Sequence, residues 1–347
     1  MSDDGNGAGR GGDRPGGAPP GPEVFDSLHA GTPDRDLGRP RLGLNLPTWP
    51  LAGGGYATWS QMRALARDVE ALGVDTLWVP DHLQRRLPDR PTIGFWECWT
   101  ILAAAAEATS RIAIGPFVAS TAFRNPGLLA RMATTLDEVS GGRVVLGLGS
   151  GVPATDESWR AFGYPPERHV TRHAEAVEAI VRLLREGRLT YHGRFVDLEG
   201  AEIVPAGPRA GGPPVWVAAK GDRTLSIAAR HADAVNVNVP VTGAADVERL
   251  ATRVAAACVA AGRDPVTLTL TGWARLALRP DGSAAERPGW IGGSPVEVAE
   301  TFRAIRVAGM AHVTLYAGAV DDPSPLPALT RETLDRLAPT LEALGLP

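Results

Sequence analysis

From residue 41 to residue 344 the chain alternates between two hydrophobic rhythms. Short apolar runs of strand length fall at about residues 42–46, 76–79, 112–119, 144–148, 215–218, 234–237, 267–277 and 312–316. Each is followed by a segment whose apolar positions recur every three or four residues, the mark of one helix face. Met62, Leu65, Ala66, Val69 and Leu72 form the first such stripe, and Gly73 stops it. The other helices are expected at about residues 97–109, 128–139, 169–184, 224–229, 247–261, 295–307 and 326–344. Two strand-like stretches around His192-Gly193 interrupt the alternation and predict a small hairpin inserted within about residues 187–213. Eight strand–helix repeats predict an α/β fold, a (β/α)8 TIM barrel, over residues 39–347. A doubly wound sheet is the rival arrangement. Residues 1–38 are mostly Gly, Pro, Asp, Ala and Arg and predict a disordered tail.

Composition narrows the class. The 347 residues are 44% hydrophobic and 21% charged, enough to bury a barrel-sized core. The net charge of -4 is dispersed, so no basic stripe points to nucleic acid and no polybasic run to a membrane surface. No apolar run reaches the roughly 18 residues of a membrane span. The acidic, glycine-rich start is unlike a secretory leader, and a cytoplasmic location is expected. Two distant cysteines, Cys98 and Cys258, predict neither a disulfide scaffold nor a cysteine-rich zinc site. No metal is expected.

A parallel barrel works at the C-terminal ends of its strands, so those positions carry the candidate chemistry. The first strand ends in Asn45 and the second in Asp81-His82. A histidine there either exchanges a proton near neutral pH, tuned by the adjacent carboxylate, or merely caps the loop. Gly149-Ser150-Gly151 brings bare amides and a hydroxyl to a ligand, or is only a tight turn. Lys220-Gly221-Asp222-Arg223-Thr224 gathers two cations and a hydroxyl where a helix begins, a stronger anion site. Its bland alternative is a solvated helix start. Trp96, Glu97 and Trp99 wall a pocket or seal the barrel rim, and Glu97 also suits the dipole of its helix. His169 and His173 lack a third ligand at metalloprotease spacing and are expected on a surface helix face.

Taken together, several runs resemble the luciferase-like superfamily of flavin- and deazaflavin-dependent oxidoreductases. They are Asp75-Thr76-Leu77-Trp78-Val79-Pro80-Asp81-His82-Leu83, Trp99 to Ile112, Phe123-Arg124-Asn125-Pro126, Ala133 to Arg143, Leu146 to Gly151 and Ala228 to Asn236. The likeness covers roughly residues 41–320. It implies the barrel already counted and a cofactor, coenzyme F420 or FMN, across the strand ends. By motif, Asp81 and His82 would flank the ring, with His82 handling the proton and Asp81 orienting it or touching the cofactor. Ser120 would sit near the ring, where the superfamily often has a bulge or a non-proline cis bond. Ser150, Gly151 and Thr155 would approach the side chain and phosphate from one side, and Lys220, Gly221, Arg223 and Thr224 from the other. Asn45, Trp96, Glu97 and Arg124 are the substrate-pocket candidates.

One departure is informative. Deazaflavin-dependent sugar-phosphate dehydrogenases of the superfamily carry a glutamate directly after the glycine turn and a tryptophan shortly after the histidine. Val152 and Arg86 stand there instead, which argues against that particular activity. The function expected from the resemblance is F420-dependent hydride transfer to or from a small organic substrate. The alternatives are a reduced-FMN monooxygenase using dioxygen, supplied by a separate reductase, and a non-catalytic flavin-binding barrel. A homodimer is the state the resemblance implies.

Overall fold

The structure is a computed structural model that describes residues 38–86, 91–153, 156–322, 324 and 326–347. The expected N-terminal tail therefore lies, but for residue 38, outside the described residues. The chain opens with β1 (Arg41–Asn45), α1 (Trp59–Ala71), β2 (Thr76–Val79), β3 (Gln84–Arg85) and β4 (Ile93–Gly94). Then follow α2 (Cys98–Ala108), β5 (Ala113–Pro116), β6 (Ala119–Ser120), α3 (Pro126–Ser140) and β7 (Leu146–Gly149). The middle holds α4 (Ser158–Ala161), α5 (His169–Glu186), β8 (Arg188–His192), β9 (Asp197–Glu202), β10 (Val215–Ala219) and α6 (Asp222–His231). Last come β11 (Ala234–Pro240), α7 (Ala244–Ala260), β12 (Thr269–Leu278), α8 (Pro295–Val307), β13 (His312–Ala319) and α9 (Arg331–Ala343).

The large sheet runs β5-β2-β1-β13-β12-β11-β10-β7-β6, every neighbouring pair parallel. β5 and β6 are two pieces of one barrel strand, parted at the Phe117–Val118 peptide, which is cis. β6 pairs with β7, and Ile114 bridges Val144, so the ring closes over eight strand positions. The single strand expected over residues 112–119 is thus broken. Pro116 has no amide to continue its ladder.

The rest follows the hydrophobic rhythm, with sharper ends. Thr58 and Gln61 cap α1 reciprocally, as do Ser294 and Glu297 for α8. Asn125 caps α3 ahead of Pro126, and Gly141 ends it in the left-handed conformation. The last helix begins at Arg331, not near 326, because Thr330 supplies its cap by accepting the Thr333 amide. β8 and β9 form the antiparallel hairpin inserted after α5. A second, shorter hairpin, β3–β4, follows β2 and has no clear mark in the sequence.

The core has two layers. Leu, Val, Ile and Ala side chains of strands and helices fill the space between barrel and helix ring. Inside the barrel His312 packs edge to face with Trp78 and Trp216, and the two indoles are tilted against each other, all with ring centroids 5.0–5.7 Å apart. A Cβ on Gly43 would lie 2.2 Å from the Trp78 indole nitrogen, so only glycine leaves room for that ring.

Arg143, 3% exposed, fastens the seam where β5 meets β7. It donates to the carbonyls of Ala106, Thr109, Ile112 and Ser140 and to the Thr109 hydroxyl. Among the described residues no helix is long and apolar enough to cross a membrane.

Candidate active site

The C-terminal ends of the barrel strands surround a cavity of about 820 Å³, within the range of small-molecule sites. Pro80 ends β2 and turns the chain so that His82 reaches the cavity wall. The His82 Nδ1 atom lies 2.7 Å from the Asp156 Oδ2 atom, and its ring packs on Phe95 with centroids 5.2 Å apart. Asp156 is held in turn by the Ser158 amide at 2.9 Å. The Ser158 hydroxyl accepts the Leu83 and Gln84 amides and donates to the Gln84 carbonyl. Loops after β2 and β7 are thereby tied together behind the histidine. Burial opposes ionisation of Asp156, but hydrogen bonds from His82 and Ser158 hold its carboxyl below the usual carboxylate range. An ionised Asp156 fixes the Nδ1 proton and leaves Nε2 as the ring nitrogen available for exchange.

Asp81 does not orient His82. It is 4% exposed and gripped by Arg124 in a two-pronged pair, at 2.6 and 3.1 Å. It also accepts the Ser120 amide at 3.0 Å, which anchors β6 beside β2. Burial pushes the Asp81 carboxyl up, and the Arg124 guanidinium works against that. Arg124 continues to Glu97 at 2.7 Å, and Glu97 caps α2 by accepting the Thr100 amide. The carboxylate bonded to His82 is therefore Asp156 and not Asp81, whose two oxygens are already committed.

The other end of the cavity is cationic. Lys220, Gly221, Arg223 and Thr224 line it at the start of α6, and Ser150 and Gly151 face it from the end of β7. Arg223 is braced by the Thr171 hydroxyl at 2.9 Å. The Thr224 hydroxyl is spent on its own helix: it accepts the Lys220 and Gly221 amides and donates to the Gly221 carbonyl. It shapes the turn and is not a free anion donor.

The remaining candidates separate clearly. Ser120 and Asp81 line the cavity, while Asn45, Trp96, Glu97 and Arg124 do not. Trp96 is 46% exposed and donates its indole N–H to the Ala57 carbonyl on the outer rim. Asn45 is buried beneath the cavity floor, against the Tyr316 phenol. Thr155 lies outside the described residues. His173, expected on a helix surface, is fully buried and bonded to Thr121 at 2.9 Å; His169 is half-buried and lines the cavity. Among the described residues no cluster of His, Cys, Asp and Glu has the makings of a metal site.

Sequence reasoning missed Asp156, Asn236, Asn238, Trp273 and Tyr316, of which the last four line the cavity from β11, β12 and β13. The alternation of Asn236 and Asn238 at a strand end was a usable signal, since polar residues two apart share one face.

The donor set suits a ring-and-phosphate cofactor. Phe117, Val118, Ala218 and Trp273 give apolar walls for a planar ring, and Lys220 with Arg223 gives positive charge where a phosphate would lie. A Cβ on Gly149 would strike Val118 at 2.4 Å, so backbone and Val118 close on each other beside the cavity.

Known proteins resemble this chain in sequence and fold. The chain is 29% identical over 221 residues to the 5,10-methylenetetrahydromethanopterin reductase of Methanolobus tindarius, covering 64% of this chain and 62% of that protein. It is 36% identical over 173 residues to an F420-dependent glucose-6-phosphate dehydrogenase of Intrasporangium calvum, covering 47% of this chain and 49% of that protein. Both alignments thus span less than two thirds of the relatives' own length. Among solved structures, an F420-dependent secondary alcohol dehydrogenase in complex with an F420-acetone adduct superposes with a TM-score of 0.70 at 17% identity. That match covers 88% of this chain and 99% of the other and shows a common fold. The sequence profile of one family matches residues 41–314: the chain belongs to the luciferase-like monooxygenase family.

Proposed function

We propose that the protein is an oxidoreductase that uses coenzyme F420 and transfers a hydride to or from a small organic substrate. The observation that carries this reading is the His82–Asp156 pair on the cavity wall, facing apolar walls and a cationic end. The F420-dependent relative at 36% identity supports the choice of cofactor. When bound, F420 supplies the ring carbon that takes or gives the hydride. Lys220 and Arg223 would hold its phosphate, and Val118, Ala218 and Trp273 would flank its ring. His82 gives or takes the substrate proton through Nε2, and the Asp156 charge stabilises the imidazolium while it carries that proton. Arg124 keeps Asp81 neutralised as a fixed wall rather than a second base.

Val152 occupies the place of a carboxylate beside the cavity, so sugar-phosphate oxidation by that route is not part of the proposal. Cys98 and Cys258 are both free thiols, which suits a reducing, cytoplasmic compartment. A homodimer and a separate enzyme that recycles the cofactor complete the reading.

Binding of F420 and of FMN, each oxidised and reduced, measured side by side by fluorescence quenching, tests it. Tight F420 and weak FMN are expected. Tight FMN without detectable F420 binding would assign the oxygen-using alternative, and binding of neither would leave a barrel without this chemistry.

A further inference from the structure

Beside the cavity wall at Trp273, the strand and loop of the seventh barrel position gather a second group of cations, which opens onto a neighbouring cleft of about 510 Å³ lined by Arg287 and Trp290. Trp273 on β12 lines the cavity, and Arg275, two residues on, shares its inward face one step nearer the mouth. The Arg275 guanidinium lies over two rings, 5.3 Å from the centroid of Trp273 and 5.2 Å from that of Trp290. Arg287 approaches the same Trp290 at 5.3 Å. Trp290 and Arg287 belong to the loop between β12 and α8, which is pinned to the strand by bridges at Leu276–Ile291 and Leu278–Ala284.

Two guanidinium groups therefore share one indole at the barrel mouth. Among the described residues neither is paired with a carboxylate; Arg287 donates to the Val320 carbonyl, and Glu286 lines the neighbouring cleft with it. The Arg275 Nε–H is buried and makes no hydrogen bond. Such a group is costly unless something accepts from it. The rings fix the plane of the guanidinium, and its fork matches the two oxygens of a carboxylate or phosphate. The loops after the seventh and eighth strands are also where barrels of this kind commonly hold phosphate groups.

We propose that Arg275 and Arg287, spaced by Trp290, bind an oxyanion group of the substrate, a carboxylate or a phosphate ester. The substrate would then be an acid that reaches inward from this corner towards His82. That last step rests on the oxidoreductase reading above, whereas the anion site itself does not.

The test uses the full chain without cofactor and two probes, inorganic phosphate and benzoate, titrated by calorimetry. Wild type is expected to bind one equivalent that Arg223→Ala leaves untouched and that Arg275→Gln weakens about tenfold or more. Arg287→Gln, at the open side of the corner, should weaken it in the same direction, and it decides the matter if Arg275→Gln does not fold. Tighter benzoate assigns a carboxylate, and tighter phosphate a phosphoester. Affinity for both probes unchanged in the folded variants, or no such equivalent in wild type, overturns the proposal. Failure of F420 to bind would leave this anion result standing, so the two readings fall separately.

Discussion

His82 and Asp156 stand 74 positions apart in the chain, yet the Nδ1 and Oδ2 atoms lie 2.7 Å from each other. The contact joins the loop after the second barrel strand to the loop after the fourth. It exists because the Ser158 hydroxyl ties the Leu83 and Gln84 amides to the start of α4. His82 is thus aimed by the fold and not by its sequence neighbour.

His82→Ala should leave folding and cofactor affinity nearly intact while lowering turnover by roughly two to four powers of ten. Single-turnover rates with saturating cofactor check this. A variant that keeps more than half of wild-type turnover would reduce His82 to a loop residue.

Asp156→Asn keeps the shape of the pair and removes its charge. Turnover should fall roughly 10- to 150-fold, the range of one charge-assisted hydrogen bond, with the cofactor dissociation constant within about twofold of wild type. A parallel loss of cofactor affinity would show that Asp156 only shapes the pocket.

Arg223→Ala should weaken cofactor binding about 10- to 150-fold with little change in turnover at saturation. A phosphate-free ring analogue should bind wild type weakly and be indifferent to the substitution. Equal weakening of both ligands would mean the effect is structural, and the phosphate would then be sought at Gly149-Ser150-Gly151.

Arg124→Met removes the partner of a buried carboxylate and should destabilise the protein by about 3–5 kcal/mol, read from urea midpoints. Adding Asp81→Leu should recover part of that loss, since the stranded charge goes with it. A single variant as stable as wild type would contradict the pairing at 2.6 Å.

Burial holds His173 and His312 down to about 3, with nearby positive groups adding to the effect. Below the unfolded histidine value near 6.5 the unfolded chain takes up protons that the folded chain refuses. Stability is therefore full above that pH and drains as pH falls from about 6.5 toward 3. Each histidine contributes a slope of up to roughly 1.4 kcal/mol per pH unit. Urea midpoints between pH 7 and 4.5 for wild type and His312→Gln test the sign: the variant should show the shallower decline.

Much of this was legible in the residues. Strand and helix alternation revealed the barrel because its strands, buried on both faces, read as unbroken apolar runs such as Leu146–Gly149. Asp81-His82 and Lys220 to Thr224 were visible because strand ends are fixed by those runs. Asp156 was not, since it sits in an irregular loop whose partner lies across the barrel, and no local rhythm encodes that meeting. His173 misled for a related reason: on a helix that also carries Arg172 and Glu175 it looks solvated, but its side of the helix faces Thr121. Arg275 was passed over as one charge in an apolar strand, though a lone cation among inward-facing positions was itself the signal.

The seam at Arg143 has a consequence for how the molecule meets its solvent. The guanidinium there is bonded to four carbonyls and one hydroxyl. None of these oxygens carries a formal charge, so mobile ions have no pair to screen. Exposed links such as Arg331–Asp68 weaken as the medium becomes more saline. Concentrated brine would thus loosen the outer helices while the join between the third and fourth strands keeps its grip.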